Sequence, residues 1–523
     1  MDIARISAKG GVALSVGMIV SNGIMALGTL LLANFLSTSE YGIYSVVFIT
    51  PSFFTLFQDL GVGSAMIKYT SQYKSENRIE ETKKILASGM LFNAIMGALL
   101  SLISFFLAGF LAVNVFQRPQ IKNLIEIISI LIFSSSIITA SFSTFIGFER
   151  MEFESLLMIV QAILKGFFAP LLVLLGYGVF GAIVGALIAS ITIVILGTAF
   201  FFFFFYKKIK GKTSGPLLDL RCLGIMLRYG LPVSASTILN GSLTQFYNFM
   251  AAIYCNDILI ANYQMAMNFM VLVNFVITPI AIVLFPAFSK INPEKDKETM
   301  KTVFQSSVKY GALLILPATI AVMVLSKPLV YTLFGEKFSY TPLYLSLLAF
   351  SGLYTGLGSL SIQNFIMGQG KTKVTFKLTL LTLSMGLPLS ILLIPHFGII
   401  GLIFTMLVAG IPNLIVGLLW IKRHYEVSID KIPEAKIYIS SGVTGSIVYM
   451  LIYRLSFSHW ITLIIGGICF LFIYLILVSL IGAVNKNDVE NIREMLKELG
   501  PLLKIVNPLF KSIEKLSSMA GHD

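Results

Sequence analysis

Lys165 falls inside the apolar run from Glu154 to Leu175, and every other basic residue of the chain falls in or beside a polar connector. At 1.5 Å per residue it stands about 16 Å into that run, close to the midplane of a bilayer. An ammonium at that depth is costly and by default marks a functional position. Its natural partner would be a carboxylate of equal depth, but Asp59 and Glu126 lie near opposite ends of their runs and Asp257 falls in a short turn. Lys165 therefore reads as facing a wet cavity and attracting an anionic group of a substrate, with Gln161 one turn away on the same face. The alternative is a structural lysine, deprotonated or hydrogen-bonded between helices.

Neutral polar residues recur at helical spacing in other apolar runs. Ser236, Asn240, Thr244 and Asn248 are each four apart, Gln264 and Asn268 repeat that spacing in the next run, and Ser15, Asn22 and Thr29 recur every seven. Residues at these intervals share one helical face. Amides and hydroxyls both donate and accept, as a cavity for a hydroxyl-rich ligand requires. Each could equally serve as a hydrogen bond between helices, at about 0.6 kcal/mol.

The elements that must position these groups are membrane helices. Hydrophobic residues make up 56% of 523 residues, charged residues only 12%, and the mean hydropathy is +0.88. The apolar runs have helical length and lack the strict alternation of barrel strands. They predict an all-α polytopic protein of fourteen helices at roughly 10–36, 41–66, 85–112, 123–147, 154–175, 179–206, 229–253, 259–285, 310–333, 342–367, 375–395, 397–421, 437–457 and 459–484. The first run is too long for the core of a cleavable signal and reads as a retained helix.

Of the 38 basic residues, about 32 fall in connectors on one side, and only Arg118, Lys122, Lys327, Lys337 and Arg454 on the other. That asymmetry places both termini in the cytoplasm of a multi-pass protein of the plasma membrane. It also accounts for the net charge of +13 without a nucleic-acid partner. Lys9, Lys68, Arg150 and Arg228 lie at the cytoplasmic mouth, where they could gather a lipid phosphate or simply fix orientation against anionic headgroups. Cys222, Cys255 and Cys469 show no metal or redox spacing, and no cofactor or metal is expected.

Gly178-Val179-Phe180-Gly181 and Gly398-Ile399-Ile400-Gly401 are 220 residues apart, Phe145-Ile146 and Phe365-Ile366 share that offset, and Tyr44 and Tyr263 differ by 219. A common offset suggests two six-helix units of the same membrane orientation around a central cavity. The expected organisation is an N-terminal lobe over 1–206, a cytoplasmic linker over 207–228, a second lobe over 229–421, two extra helices over 422–484 and an amphipathic cytoplasmic tail over 485–523. Small pairs such as Gly181 and Gly185 would let neighbouring helices approach closely.

Several segments resemble the polysaccharide biosynthesis and export branch of the multidrug/oligosaccharidyl-lipid/polysaccharide exporter superfamily. They are Ser39-Glu40-Tyr41-Gly42-Ile43-Tyr44 with Asp59-Leu60-Gly61-Val62-Gly63, then Tyr229-Gly230-Leu231-Pro232 with Phe285-Pro286-Ala287, and Gly370-Lys371-Thr372-Lys373 leading to Ile394-Pro395-His396-Phe397-Gly398. The resemblance spans about residues 10–420. It implies two six-helix lobes around a central cavity, a fourteen-helix member, and flipping of a polyprenyl-linked saccharide from the cytoplasmic to the outer leaflet by alternating access. The expected partners are the lipid-linked oligosaccharide, membrane lipids and membrane glycosyltransferases, with a monomer as the working unit. The family often carries an acid in the seventh span, where this chain has Asn248.

Two other classes fit the sequence less well. A cation- or proton-coupled multidrug exporter of the same superfamily usually relies on intramembrane carboxylates, whereas this chain offers a midplane lysine. A membrane glycosyltransferase or polymerase needs clustered carboxylates or histidines on a sizeable loop, whereas His396, His424, His459 and His522 are scattered and the outer connectors are short. The sequence therefore favours a transporter over an enzyme.

Overall fold

The computed structural model describes residues 2–207, 219–292, 295–454, 457–484, 488 and 490. Two compact units divide the chain, Met1–Ala261 and Asn262–Asp523. No strand occurs among the described residues.

The first unit contains α1 (Asp2–Phe35), α2 (Thr38–Phe54), α3 (Val62–Ser75), α4 (Ile79–Phe110), α5 (Lys122–Ile128), α6 (Ile130–Gly147), α7 (Met151–Leu172), α8 (Gly178–Phe200) and α9 (Leu220–Tyr254). Next comes α10 (Asp257–Phe269), and the second unit continues with α11 (Val271–Ser289), α12 (Lys297–Phe334), α13 (Thr341–Ala349), α14 (Ser359–Gly368), α15 (Thr372–Tyr425), α16 (Lys431–Arg454) and α17 (His459–Leu480). Among the described residues nine runs are long and apolar enough to cross a membrane, or up to twelve when each bent pair of helices is taken as one span. Large side chains on their outer faces are open, with Phe106 78% and Ile195 63% exposed, as lipid-facing positions require. The protein is thus a multi-pass, all-helical membrane protein.

The boundaries differ from the sequence reading at several instructive places. The second run is not one helix over 41–66 but two, α2 and α3, bent by 45°. Leu60 and Gly61 take positive φ of 48° and 82°, which an α-helix cannot accommodate. Asp59 then restarts the helix, its Oδ1 accepting from the Gly63 N–H at 2.7 Å. Gly61 faces Gly230 of α9 backbone to backbone, so a Cβ on either would collide with the other. The seventh run begins at Leu220 rather than 229, because Asp219 caps it: its Oδ1 accepts from the N–H groups of Arg221 at 2.9 Å and Cys222 at 3.3 Å. Those two bonds hold the Asp219 carboxyl below its usual range.

The eleventh and twelfth runs form one 54-residue element, α15, interrupted at Gly398 with φ 56° and ψ −132°. Gly178, at the start of α8, has φ 51° and ψ −137°. Both lie in a region that only glycine enters cheaply. The matching tetrapeptides picked out by the 220-residue offset therefore build the same turn. The ends of α6 and α14 agree as well: the Arg150 N–H donates to the Phe145 carbonyl at 2.9 Å and the Lys371 N–H to the Ile366 carbonyl at 3.0 Å, an offset of 221. The grouping of α9 with the first unit sets the observed division at 261/262.

Small residues set the helix approaches. Along α1 and α7, a Cβ on Gly28 would lie 2.6 Å from the Gly166 Cα, and Ser155 Oγ donates to the Ala13 carbonyl at 2.9 Å. A Cβ on Gly185 would lie 2.5 Å from the Ala169 Cα, so α8 packs on α7 through the pair the sequence pointed to. In the second unit, α16 and α17 pack on α12 around Leu313, Leu316, Ile437, Val448, Phe470 and Tyr474. The linker residues 208–218 and the tail from 485, apart from 488 and 490, lie outside the described residues.

Candidate functional site

Lys165 is carried by α7, which is held on one side by α1 and on the other by α8. It is half-buried, with its Nζ 5.3 Å from the centroid of the Phe48 ring on α2. A cation at that distance from an aromatic face is attracted by the ring quadrupole. Among the described residues no carboxylate pairs with it. The three acids considered from sequence have other work: Asp59 caps α3, Glu126 stands 3.6 Å from Lys122, and Asp257 bonds Arg118 at 2.6 Å.

Phe48 also forms part of the wall of a cavity of about 360 Å³ in the first unit, shaped by α2, α6, α7 and α8. Gln161 lines it; Lys165 is not among the lining residues and meets the cavity wall only through the Phe48 ring. Five hydroxyls line it too: Ser52 and Thr55 near the end of α2, Ser135 and Thr139 of α6, and Ser190 of α8. Behind them, the buried Gln58 donates from Nε2 to Ser135 Oγ at 3.1 Å and Thr139 Oγ1 at 3.4 Å. Phe142, Leu131 and Ile138 supply apolar wall, and among the described residues no titratable side chain lines the space.

Sequence reading missed these hydroxyls. A signal existed, since Ser135 and Thr139 are four apart and Ser52 and Thr55 three apart, but serine and threonine in apolar helices usually bond their own backbone and carry little weight singly. Also missed was Glu154, which shares the face of Gln161 and Lys165 at intervals of seven and eleven and has a buried Oε2 without a hydrogen-bond partner among the described residues.

The other expected site residues do not line this cavity. Asn22 is exposed on α1, and Asn240 and Thr244 are exposed on α9, where Thr244 Oγ1 donates to the Asn240 carbonyl at 3.1 Å. Asn248 is half-buried and donates to Gln245 Oε1 at 3.3 Å. Gln264 is half-buried and Asn268 exposed, both on α10 in the second unit. Lys68 Nζ stands 4.1 Å from the centre of the Tyr229 ring, which joins α3 to α9 beside the exposed Arg228. Arg150 pairs with Glu152 and stacks 5.2 Å from the Phe153 ring. The side chain of Lys9 lies outside what the structure describes.

Comparisons with known proteins agree with this architecture. The chain is 24% identical over 408 residues to an uncharacterized membrane protein of Methanocaldococcus jannaschii, covering 73% of this chain and 77% of that protein. It is also 24% identical over 415 residues to the lipopolysaccharide biosynthesis protein WzxC of Escherichia coli, covering 77% and 78%. In fold it is similar to the lipid II flippase MurJ in an inward closed conformation, with TM-score 0.73, 18% identity and coverage of 90% of this chain and 98% of that one. It is likewise similar to an inward-facing multidrug resistance MATE family transporter of the MOP superfamily, with TM-score 0.63, 18% identity and coverage of 80% and 98%. The family model described as polysaccharide biosynthesis protein matches residues 31–342, more than half of the chain, and the protein belongs to that family.

Proposed function

We propose that the protein carries a polyprenyl-phosphate- or pyrophosphate-linked oligosaccharide from the cytoplasmic to the outer leaflet of the plasma membrane by alternating access, for assembly of a cell-surface polysaccharide or glycoprotein. The observation that carries this reading is Lys165: a membrane-embedded cation without a carboxylate partner among the described residues, beside a cavity lined by neutral hydroxyls and an amide. A lipid-linked saccharide has the complementary chemistry, with phosphate for the ammonium, sugar for the hydroxyls, and a prenyl chain that never leaves hydrocarbon. Family membership and the names of the WzxC and MurJ relatives support the same cargo class.

The reading takes both termini as cytoplasmic and the working unit as a monomer. It counts two crossings in each of the runs Met151–Tyr206 and Thr372–Tyr425, which at 56 and 54 residues are too long for a single one. Twelve spans plus these two extra crossings gives fourteen. Flipping moves a molecule without breaking a bond, so the reading asks for no catalytic residue. Membrane glycosyltransferases would deliver the cargo on the cytoplasmic side.

The test is reconstitution into vesicles carrying a fluorescent prenyl-phosphate trisaccharide, with leaflet exposure followed by quenching. Exchange well above that of protein-free vesicles is the expected result. Absence of exchange across several glycans, together with uptake of a lipophilic cationic dye driven by an ion gradient, would instead identify a multidrug exporter, to which the MATE-like fold draws attention.

A further inference from the structure

The cavity beside Lys165 has a defined hydrogen-bond polarity. Ser52 Oγ spends its proton on the Phe48 carbonyl at 2.7 Å, and Thr55 Oγ1 spends its own on the Ser52 carbonyl at 3.0 Å. Thr139 Oγ1 donates to the Ser135 carbonyl at 2.9 Å. These three hydroxyls therefore offer a ligand only lone pairs. Ser135 differs, because its Oγ accepts from Gln58 Nε2 at 3.1 Å and its proton has no partner among the described residues. Gln161 and Ser190 also have no hydrogen-bond partner there. One part of the wall thus only accepts, while Ser135, Gln161 and Ser190 can donate.

We propose that this cavity is the subsite for the sugar, and that Ser52, Thr55 and Thr139 read the ligand's own hydroxyl protons, with Gln58 as the positioning residue that holds Ser135 and Thr139 in register. The inference rests on the flippase reading and deepens it by assigning a place to the saccharide. The ligand chemistry follows from what the cavity contains. A lining without titratable groups among the described residues suits a neutral part of the cargo, and its volume lies within the range of small-molecule sites. Fixed acceptors select against a group that can only accept, so a free hydroxyl is favoured over the same oxygen carrying a methyl or acyl substituent. Phe48 and Phe142 supply the apolar surface that a ring's C–H face requires. Phe48 also joins the two parts of the cargo, since its ring borders the cavity and lies 5.3 Å from Lys165 Nζ, where the phosphate would be held.

The experiment measures equilibrium binding of two ligands to the full chain in lipid nanodiscs. One is a short-chain prenyl-phosphate trisaccharide; the other is its per-O-methylated form, which keeps every oxygen as an acceptor and loses every hydroxyl donor. The native protein should prefer the hydroxylated ligand by about tenfold or more, as several net hydrogen bonds imply. Replacing Ser52→Ala, Thr55→Val and Thr139→Val together should remove most of that preference by weakening the hydroxylated ligand alone. Thr139→Val singly should remove part of it, and serves if the triple variant fails to fold. Gln58→Leu should lower the preference without changing binding of the methylated ligand, a ratio that simple destabilisation would not move.

An unchanged preference in Thr139→Val and the triple variant overturns the subsite. Equal binding of both ligands by the native protein, abolished by Lys165→Ala, overturns it while leaving the flippase reading intact. Binding of neither ligand by the native protein overturns both.

Discussion

Arg118 Nε donates to Asp257 Oδ1 at 2.6 Å, joining the turn after α4 to the first residue of α10 across 139 positions of sequence. The same guanidinium donates to the carbonyls of Phe116 at 2.8 Å, Ala252 at 2.5 Å and Cys255 at 2.8 Å, so it also holds the end of α9. With side chains only 11% and 19% exposed, the pair is shielded from water, and removing one partner strands the other. Arg118→Ala is expected to destabilise the protein by about 3 kcal/mol and Asp257→Asn by less, because the amide oxygen still accepts. Thermal unfolding in nanodiscs checks this; a change within about 0.5 kcal/mol, the scale of an exposed pair, would show that the contact does not hold the fold.

Gly178 and Gly398 share one backbone conformation in corresponding hairpins. Gly178→Ala and Gly398→Ala should each cost about 1–3 kcal/mol, the strain of a side chain in a region reserved for glycine. Gly410→Ala is the control, since it lies within α15 and a Cβ there meets nothing within 4 Å. It should be neutral or mildly stabilising. Melting temperatures of the three variants decide the matter, and similar behaviour of all three would remove the conformational argument for a repeat.

Asp219 caps α9, and the N–H groups of Arg221 and Cys222 hold its carboxyl below the ordinary value near 4. A depressed folded-state value means that the cap stabilises above the unfolded pKa and that this contribution disappears as pH falls through the folded one. Asp219→Ala should therefore lower the melting temperature at pH 7, and the gap to the native protein should narrow as pH falls from 5 to 3. A gap that stays constant or widens over that interval would refute the charged cap.

Much of the architecture was legible because bilayer physics writes it in long apolar runs, and because the tetrapeptides at 178 and 398 need glycine at the same backbone angles. The break at Leu60-Gly61 was not legible: there the chain meets the backbone of Gly230, 169 positions away, a contact that hydropathy does not register. Lys165 and Gln161 could be placed on one face from spacing alone. The hydroxyl wall could not, since whether Ser135 and Thr139 turn towards a cavity depends on how α2, α6, α7 and α8 come together. The long-range partner of Asp257 was hidden for the same reason. Polar stripes at a spacing of four put Asn240, Thr244 and Asn248 on one helical face, but the spacing does not say what that face meets.

The central claim is that Lys165 holds the anionic headgroup of the cargo. The most direct measurement is leaflet exchange of a prenyl-phosphate trisaccharide in vesicles containing the native protein, Lys165→Arg or Lys165→Met, with incorporation and fold matched. Lys165→Met should lose at least about tenfold in rate, the worth of a charge-assisted hydrogen bond, and Lys165→Arg should retain a substantial part of it. Equal exchange by all three proteins would contradict the account.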